Sequence, residues 1–200
     1  MEKGYQKTIY ACFASFIVQA IIVNFAPLLF LTFQSSYGIS FSSISALITI
    51  NFCAQLVVDL LSAKFVDRIG YRTAMLIAHG ASVLCLLGMA FLPEIMPPFW
   101  GLILSTCIYA IGGGIIEVVN GPIVEACPTE NKEGTMSLLH SFYCWGAMGV
   151  ILGSTLFFSV VGVEHWKILT FIWALVPLYN TFNFIPFILA ISISRQNFNI

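Results

Sequence analysis

One carboxylate and one amide lie inside a long apolar segment of the chain, "IYAIGGGIIEVVNGPIVEA", residues 108–126. Glu117 has apolar residues on both sides, and Asn120 follows one helical turn later. Acids within such segments usually face a bundle interior or a water-filled cavity, where they bind protons, ions or solutes. We therefore expect Glu117 to bind a proton or a solute. A permanently protonated acid that hydrogen-bonds a neighbouring helix is the alternative.

Other apolar segments also carry polar residues at helical spacing, which predicts that several helices share one wet cavity. The residues expected to bind solute or protons there are Glu117, Asn120, Gln19, Asn24, His140 and Trp145. A purely structural role is the alternative for His140, and packing is the alternative for Trp145. Asn51, Gln55 and Asp59 recur every four residues in the second segment. Asp59 is expected to contact a loop or gate, and His79 receives no role.

The composition indicates an integral membrane protein. Apolar residues make up 59% of the chain and charged residues 8%, whereas a soluble domain has about 25% charged residues. The net charge of -1 gives no indication of nucleic-acid binding. The six cysteines are dispersed without a C-x-x-C pair, so no disulfide framework, metal cluster or cofactor is expected.

Six apolar segments are long enough to cross a bilayer as helices. They are predicted at residues 8–33, 42–63, 72–93, 98–124, 135–162 and 167–193. The loops on one side hold seven of the eight Lys and Arg residues, and the other side holds only Lys167. Because cytoplasmic loops are rich in Lys and Arg, both termini are predicted to be cytoplasmic, in a plasma or inner membrane.

The short loop "AKFVDRIGYR", residues 63–72, joins the second and third segments. Its acid can cap or pair at a helix end, its glycine permits a tight turn, and its bases favour the cytoplasm. The loop resembles the signature loop of the major facilitator superfamily, roughly G-x-x-x-D-R-x-G-R-R. Ala63 and Tyr71 depart from this pattern. The resemblance implies a cytoplasmic gating loop formed by Asp67, Arg68, Gly70 and Arg72.

The fourth and fifth segments resemble the fucose/glucose:proton symporter branch of that superfamily. The likeness rests on "GGGIIEVVNGPIVEA" followed by "MSLLHSFYCWGAMG", in which Glu117 matches the acid of the fourth helix. Two departures are clear: Asn120 is one residue nearer to the acid, and the first segment offers no acid. The resemblance implies sugar recognition and proton coupling at Glu117.

The expected fold is an all-α membrane protein with six transmembrane helices, arranged as two inverted three-helix repeats. This bundle, residues 1–200, is half of a twelve-helix major facilitator fold. We therefore expect a missing second six-helix half, or a second copy, as partner, together with the lipid bilayer, protons and a small polar solute.

The expected function is alternating-access transport. The alternatives are a truncated or degenerate protein without transport, or an efflux-type facilitator of other small molecules. An intramembrane protease is disfavoured, because no G-x-S-x-G occurs and Ser154 shares a helix with His140.

Overall fold

The computed structural model describes residues 3–185, and every regular element in that range is helical. A single 3-10 turn, Val163–His165, precedes the last helix. The α-helices are α1 (Lys3–Leu28), α2 (Phe30–Tyr37), α3 (Phe41–Ile69), α4 (Tyr71–Ile95), α5 (Pro98–Ala126), α6 (Lys132–Val161) and α7 (Trp166–Phe184).

The helical segment at the first predicted span, 8–33, is longer than predicted and is divided into two helices. Helical structure extends from Lys3 to Tyr37, with a break at Leu29. The cause is Pro27, which lacks an amide hydrogen and whose ring crowds the preceding turn. The predicted loop "QSSYGIS" is correspondingly shorter, because α2 continues to Tyr37 and is ended by Gly38, which has a φ of 64°.

Five helices are long and apolar enough to cross a membrane. They are α1 and the four helices α3 to α6, and each overlaps one of the first five predicted spans. The sixth predicted span, 167–193, lies only partly in the described range. Its described part is α7, and residues 186–193 lie outside the described residues.

The helices pair in a regular pattern that positions the site. α1 packs against α6, α3 packs against α5, and α4 packs against both α5 and α7. Two apolar clusters lie one above the other along these helices, one near Phe16 and Ile116 and the other near Phe25 and Leu86. The amides and carboxylates described below therefore lie beside a dry, close-packed core.

Burial differs sharply among the spans. Half or more of the most apolar part of α1, α4 and α5 is buried, but only 11% of that part of α3 and 17% of that of α6 are buried. The outer surfaces of α3 and α6 expose large apolar side chains such as Leu60 and Leu156. Such surfaces suit lipid or another helical bundle rather than water.

Candidate functional site

Glu117 receives hydrogen bonds from two other helices. Gln55 on α3 donates from Nε2 to Glu117 Oε2 at 2.8 Å, and Gln19 on α1 donates from Nε2 to the same oxygen at 3.2 Å. A carboxylate oxygen is a suitable acceptor for two amide donors, because it offers more than one lone pair. The carboxylate therefore links α1, α3 and α5 at one point.

A second carboxylate lies beside the same helix because Gly114 has no side chain. A Cβ at Gly114 would lie 2.6 Å from Oδ1 of Asp59 and 2.9 Å from Cγ1 of Val58. Gly114 precedes Glu117 by three residues, so the two positions share a face of α5. Asp59 therefore lies against α5 about one helical turn from Glu117.

Gly112 has a similar role on another face of α5. A Cβ there would lie 2.9 Å from Oγ of Ser82 and 3.0 Å from the carbonyl oxygen of Ala78, both on α4. Gly112 and Gly114 thus let α4 and α3 approach α5 closely on two sides. These contacts hold α5 firmly between α3 and α4, which fixes the position of Glu117.

The carboxylate of Glu117 lies on the wall of a cavity of about 860 Å³. This volume is in the range of small-molecule sites, roughly 300–1,000 Å³. One group of lining residues offers hydrogen-bonding side chains: Gln19, Asn24, Asn51, Gln55, Ser105, Thr106, Tyr109, Glu117, His140 and Tyr143. A second group offers rings and aliphatic surface, including Phe16, Phe30, Phe33, Phe52, Leu47 and Met89.

The cavity wall formed by the described residues carries an acidic side chain but no Lys or Arg side chain. That acid is Glu117. The described ion pairs, Glu94 with Lys167 and Glu164 with His165, lie elsewhere. This wall offers hydrogen bonds and negative charge, so it suits a neutral or positively charged ligand better than an anion.

Four of the six residues predicted to bind solute or protons line this cavity: Gln19, Asn24, Glu117 and His140. Asn24 also donates to the carbonyl oxygen of Ala20 in its own helix, at 2.9 Å. The ring of His140 packs against Phe16, with 5.5 Å between the ring centroids.

The other two predicted residues lie apart from the cavity wall. Asn120 is fully buried and donates from Nδ2 to the carbonyl oxygen of Cys12 at 2.9 Å, so it joins α5 to α1. Trp145 on α6 is 54% exposed and packs against Phe142. For both residues, a contact with solute stays a prediction.

Sequence reasoning missed several members of the site. Gln55 and Asn51 belong to the four-residue stripe on α3, which pointed to a polar face but not to Glu117 as its partner. Asp59 was expected to contact a loop or gate, yet it lies against Gly114. Tyr109 interacts with Asn51 and lines the cavity, and its position in the sequence gave no signal of this.

A separate polar cluster surrounds His79, for which the sequence suggested no role. His79 Nδ1 lies 2.7 Å from the carbonyl oxygen of Met75, and because a carbonyl only accepts, Nδ1 carries the hydrogen. In the neutral ring Nε2 then accepts from Nδ2 of Asn180 at 2.9 Å. Asn180 also contacts Ala11 and Ser15, so the cluster joins α1, α4 and α7 inside the bundle.

The predicted gating loop is shorter than the sequence suggested. Asp67 and Arg68 lie in the last turn of α3, and Gly70 alone separates α3 from α4. The φ of Gly70 is 82°, which side chains rarely allow, so a glycine is required. Arg72 donates to the carbonyl oxygens of Phe184 at 3.3 Å and Ile185 at 2.8 Å, which ties this junction to the end of α7.

Comparison with known families agrees with this architecture. The sequence model described as Major Facilitator Superfamily matches residues 11–194, which is most of the chain. No individual curated protein matches the chain. A helical bundle with five apolar spans, a central cavity and the one-residue junction at Gly70 is consistent with that match. The chain therefore belongs to the Major Facilitator Superfamily, whose members are membrane transporters.

Proposed function

We propose that the chain transports a small polar solute, a sugar, by alternating access, and that proton binding at Glu117 is coupled to this transport. The observation that carries the proposal is the pair of amide hydrogen bonds from Gln19 and Gln55 to Glu117 on the cavity wall. Titratable groups that face a cavity and contact several elements are the usual candidates for coupling.

The lining of the cavity supports a neutral, hydroxyl-rich solute. Amide side chains such as Asn24 and Asn51 can both donate to and accept from hydroxyl groups. Aromatic rings such as those of Phe16, Tyr109 and Tyr143 offer flat apolar surfaces that pack against the C–H faces of a sugar ring. The absence of Lys and Arg from the described wall speaks against an anionic solute.

Protonation of Glu117 offers a physical route to coupling. The ionised carboxylate accepts from Gln19 on α1 and Gln55 on α3, and charge-assisted hydrogen bonds of this kind are stronger than neutral ones. Adding a proton removes that charge and weakens both bonds. The contacts among α1, α3 and α5 would then loosen together, which allows the helices to move between states.

The helix pairing supports the two inverted repeats. In this arrangement α1, α3 and α4 form one repeat and α5, α6 and α7 form the other, so that α1 corresponds to α5, α3 to α6 and α4 to α7. The α1–α6 contact then corresponds to the α5–α3 contact. Both contacts occur, and the α4–α7 contact maps onto itself. We propose six spans on this basis, with both termini cytoplasmic as the distribution of Lys and Arg predicts.

The exposed sides of α3 and α6 support a partner in the membrane. These two spans line the cavity through Gln55 and Tyr143, yet they are the least buried of the five. Solutes bind between two halves in transporters built from repeats. We propose that a second six-helix half, or a second copy of this chain, covers this side.

Uptake into proteoliposomes tests the proposal. The purified chain is reconstituted in Na⁺-free buffer, and radiolabelled L-fucose, D-glucose and D-galactose are offered with an inside-alkaline pH gradient. If a second copy of the chain covers the open side, at least one sugar should accumulate, and a protonophore should abolish the accumulation. No uptake of any labelled sugar would instead support a membrane protein that does not transport sugars by itself.

A further inference from the structure

One stretch of α1 is held by polar contacts that lie inside the bundle. Nδ2 of Asn180 on α7 lies 3.1 Å from Oγ of Ser15 and 3.1 Å from the carbonyl oxygen of Ala11. Nε2 of His79 on α4 lies 2.9 Å from the same Nδ2 and 3.3 Å from Oγ of Ser15. Ser15, His79 and Asn180 are at most 1% exposed, and none of them lines the cavity. Buried side chains therefore fix α1 to α4 and α7 at this level.

The direction of each hydrogen bond in this cluster follows from its partners. The hydroxyl of Ser15 donates to the carbonyl oxygen of Ala11 at 2.8 Å, so its oxygen is left to accept from Asn180. In the neutral ring of His79, Nδ1 donates to Met75, so Nε2 accepts from Asn180 as well. The amide of Asn180 thus holds α1 and α4 at once. A shift of α1 would leave buried polar groups unpaired, which costs about 1–3 kcal/mol for each group.

Gln19 lies one helical turn after Ser15 on the same helix. The four-residue step moves it about 6 Å along the axis and about 40° around it, so the position of Ser15 determines where the Gln19 side chain starts. Nε2 of Gln19 lies 3.2 Å from Oε2 of Glu117, at the long end of the usual N–H···O range of roughly 2.7–3.2 Å. Even a small outward shift of α1 would therefore break this bond, whereas the bond from Gln55, at 2.8 Å, tolerates more movement.

We infer that Asn180, together with His79 and Ser15, is a positioning residue that keeps Gln19 within hydrogen-bond distance of Glu117. These residues act through α1, because their hydrogen bonds hold that helix one turn away from Gln19. Removing the amide of Asn180 frees α1 to move, and the longer of the two bonds at Glu117 is lost first. Only the consequence for proton coupling rests on the proposed function.

Asn120 on α5 also holds α1, through its 2.9 Å hydrogen bond to the carbonyl oxygen of Cys12. This bond ties α1 to the helix that carries Glu117, so it offers a second way to position Gln19. It contacts a backbone atom seven residues before Gln19, whereas the cluster contacts a side chain one turn away. We therefore expect the cluster to have the greater control over Gln19. Removal of Asn180 alone separates the two contributions, because it leaves the bond of Asn120 in place.

Infrared spectroscopy of the purified chain tests this role without any transport. The carboxyl stretching band of Glu117 is the band that disappears in Glu117→Gln, and its frequency depends on the hydrogen bonds that the carboxyl group accepts. We expect Asn180→Ala to shift this band in the same direction as Gln19→Leu does. In the Gln19→Leu background, Asn180→Ala should cause no further shift, because the bond through which it acts is already absent. The matched control is Thr181→Val, which removes a hydroxyl that donates to Pro177 within α7, and it should leave the band in place.

Three results would contradict the positioning role. They are an unmoved Glu117 band in a folded Asn180→Ala variant, a further shift when Asn180→Ala is added to Gln19→Leu, or an equal shift in Thr181→Val. If Asn180→Ala does not fold, Ser15→Ala, which removes the hydroxyl beside Asn180, decides by the same criteria. Sugar uptake with an unmoved band would contradict only this role, and a shifted band without sugar uptake would contradict only the proposed function.

Discussion

Nε2 of Gln55 lies 2.8 Å from Oε2 of Glu117, and this hydrogen bond joins α3 to α5 on the wall of the cavity. Gln19 donates to the same oxygen from α1. One carboxylate thus accepts hydrogen bonds from side chains on two neighbouring helices. Because the strength of both bonds depends on the charge of Glu117, ion binding and helix packing are physically linked at this point.

Replacing Gln55 tests that link directly. Gln55→Leu keeps the approximate size of the side chain but removes the donor, and hydrogen bonds to charged groups contribute about 1.5–3 kcal/mol. We expect proton-driven sugar uptake to fall by roughly tenfold or more. Gln6→Leu, at an exposed position near the start of α1, is the matched control and should retain uptake. Equal uptake by both variants would show that the Gln55–Glu117 bond is dispensable.

Gly114 tests the close approach of α5 to α3. In Gly114→Ala the new methyl group would lie 2.6 Å from Oδ1 of Asp59 and 2.9 Å from Cγ1 of Val58, so these side chains or the helices that carry them must shift. Such overpacking typically costs about 1–3 kcal/mol, and the melting temperature in detergent should fall. Gly121→Ala in the same helix meets only Met136, at 3.6 Å, and should melt like the unmodified chain. A Gly114→Ala variant as stable as Gly121→Ala would contradict the packing described.

The polar cluster around His79 should contribute to stability. In His79→Leu the amide of Asn180 loses its 2.9 Å acceptor and keeps only those on Ala11 and Ser15, and a hydrogen bond of this kind contributes about 0.5–1.5 kcal/mol. We expect a clear decrease in melting temperature. His165→Leu, at a histidine in the exposed 3-10 turn, should have little effect. If the two variants melt at the same temperature, the cluster does not stabilise the contacts among α1, α4 and α7.

Cys144 reports on occupancy of the cavity. Its thiol is on an exposed residue and lines the cavity, whereas Cys53 is exposed on α3 outside the lining. A bound solute should therefore slow maleimide labelling of Cys144, by about tenfold at ten times the Kd of the solute. Labelling of Cys53 should not change. Mass spectrometry of the two peptides gives both rates, and equal protection of both thiols would argue against binding in this cavity.

Much of the helical architecture was predictable from the sequence, because long apolar segments have few alternatives in a membrane. The break at Leu29 was not predicted, although Pro27 carried the physical reason for it. The extension of α3 to Ile69 was also missed, because the charged residues near its end looked like a loop. Sequence patterns therefore located the spans better than they located the helix ends.

The site was only partly predictable, because helical spacing defines a face but not the neighbour that this face contacts. Asn120 follows Glu117 by three residues, which rotates it by about 60° around the helix. That rotation is enough to direct Asn120 to Cys12 on α1 while Glu117 lines the cavity. The position of Asp59 depends on the missing side chain of Gly114, a packing relationship between distant parts of the chain.

Comparing exchange with accumulation in a Glu117→Gln variant tests the central claim most directly. Proteoliposomes in Na⁺-free buffer are assayed for sugar exchange without a gradient and for accumulation driven by an inside-alkaline pH gradient. If Glu117 carries the coupled proton, the variant should exchange sugar but lose accumulation, whereas Glu125→Gln should retain both. Accumulation by Glu117→Gln at the level of the unmodified chain would contradict the account.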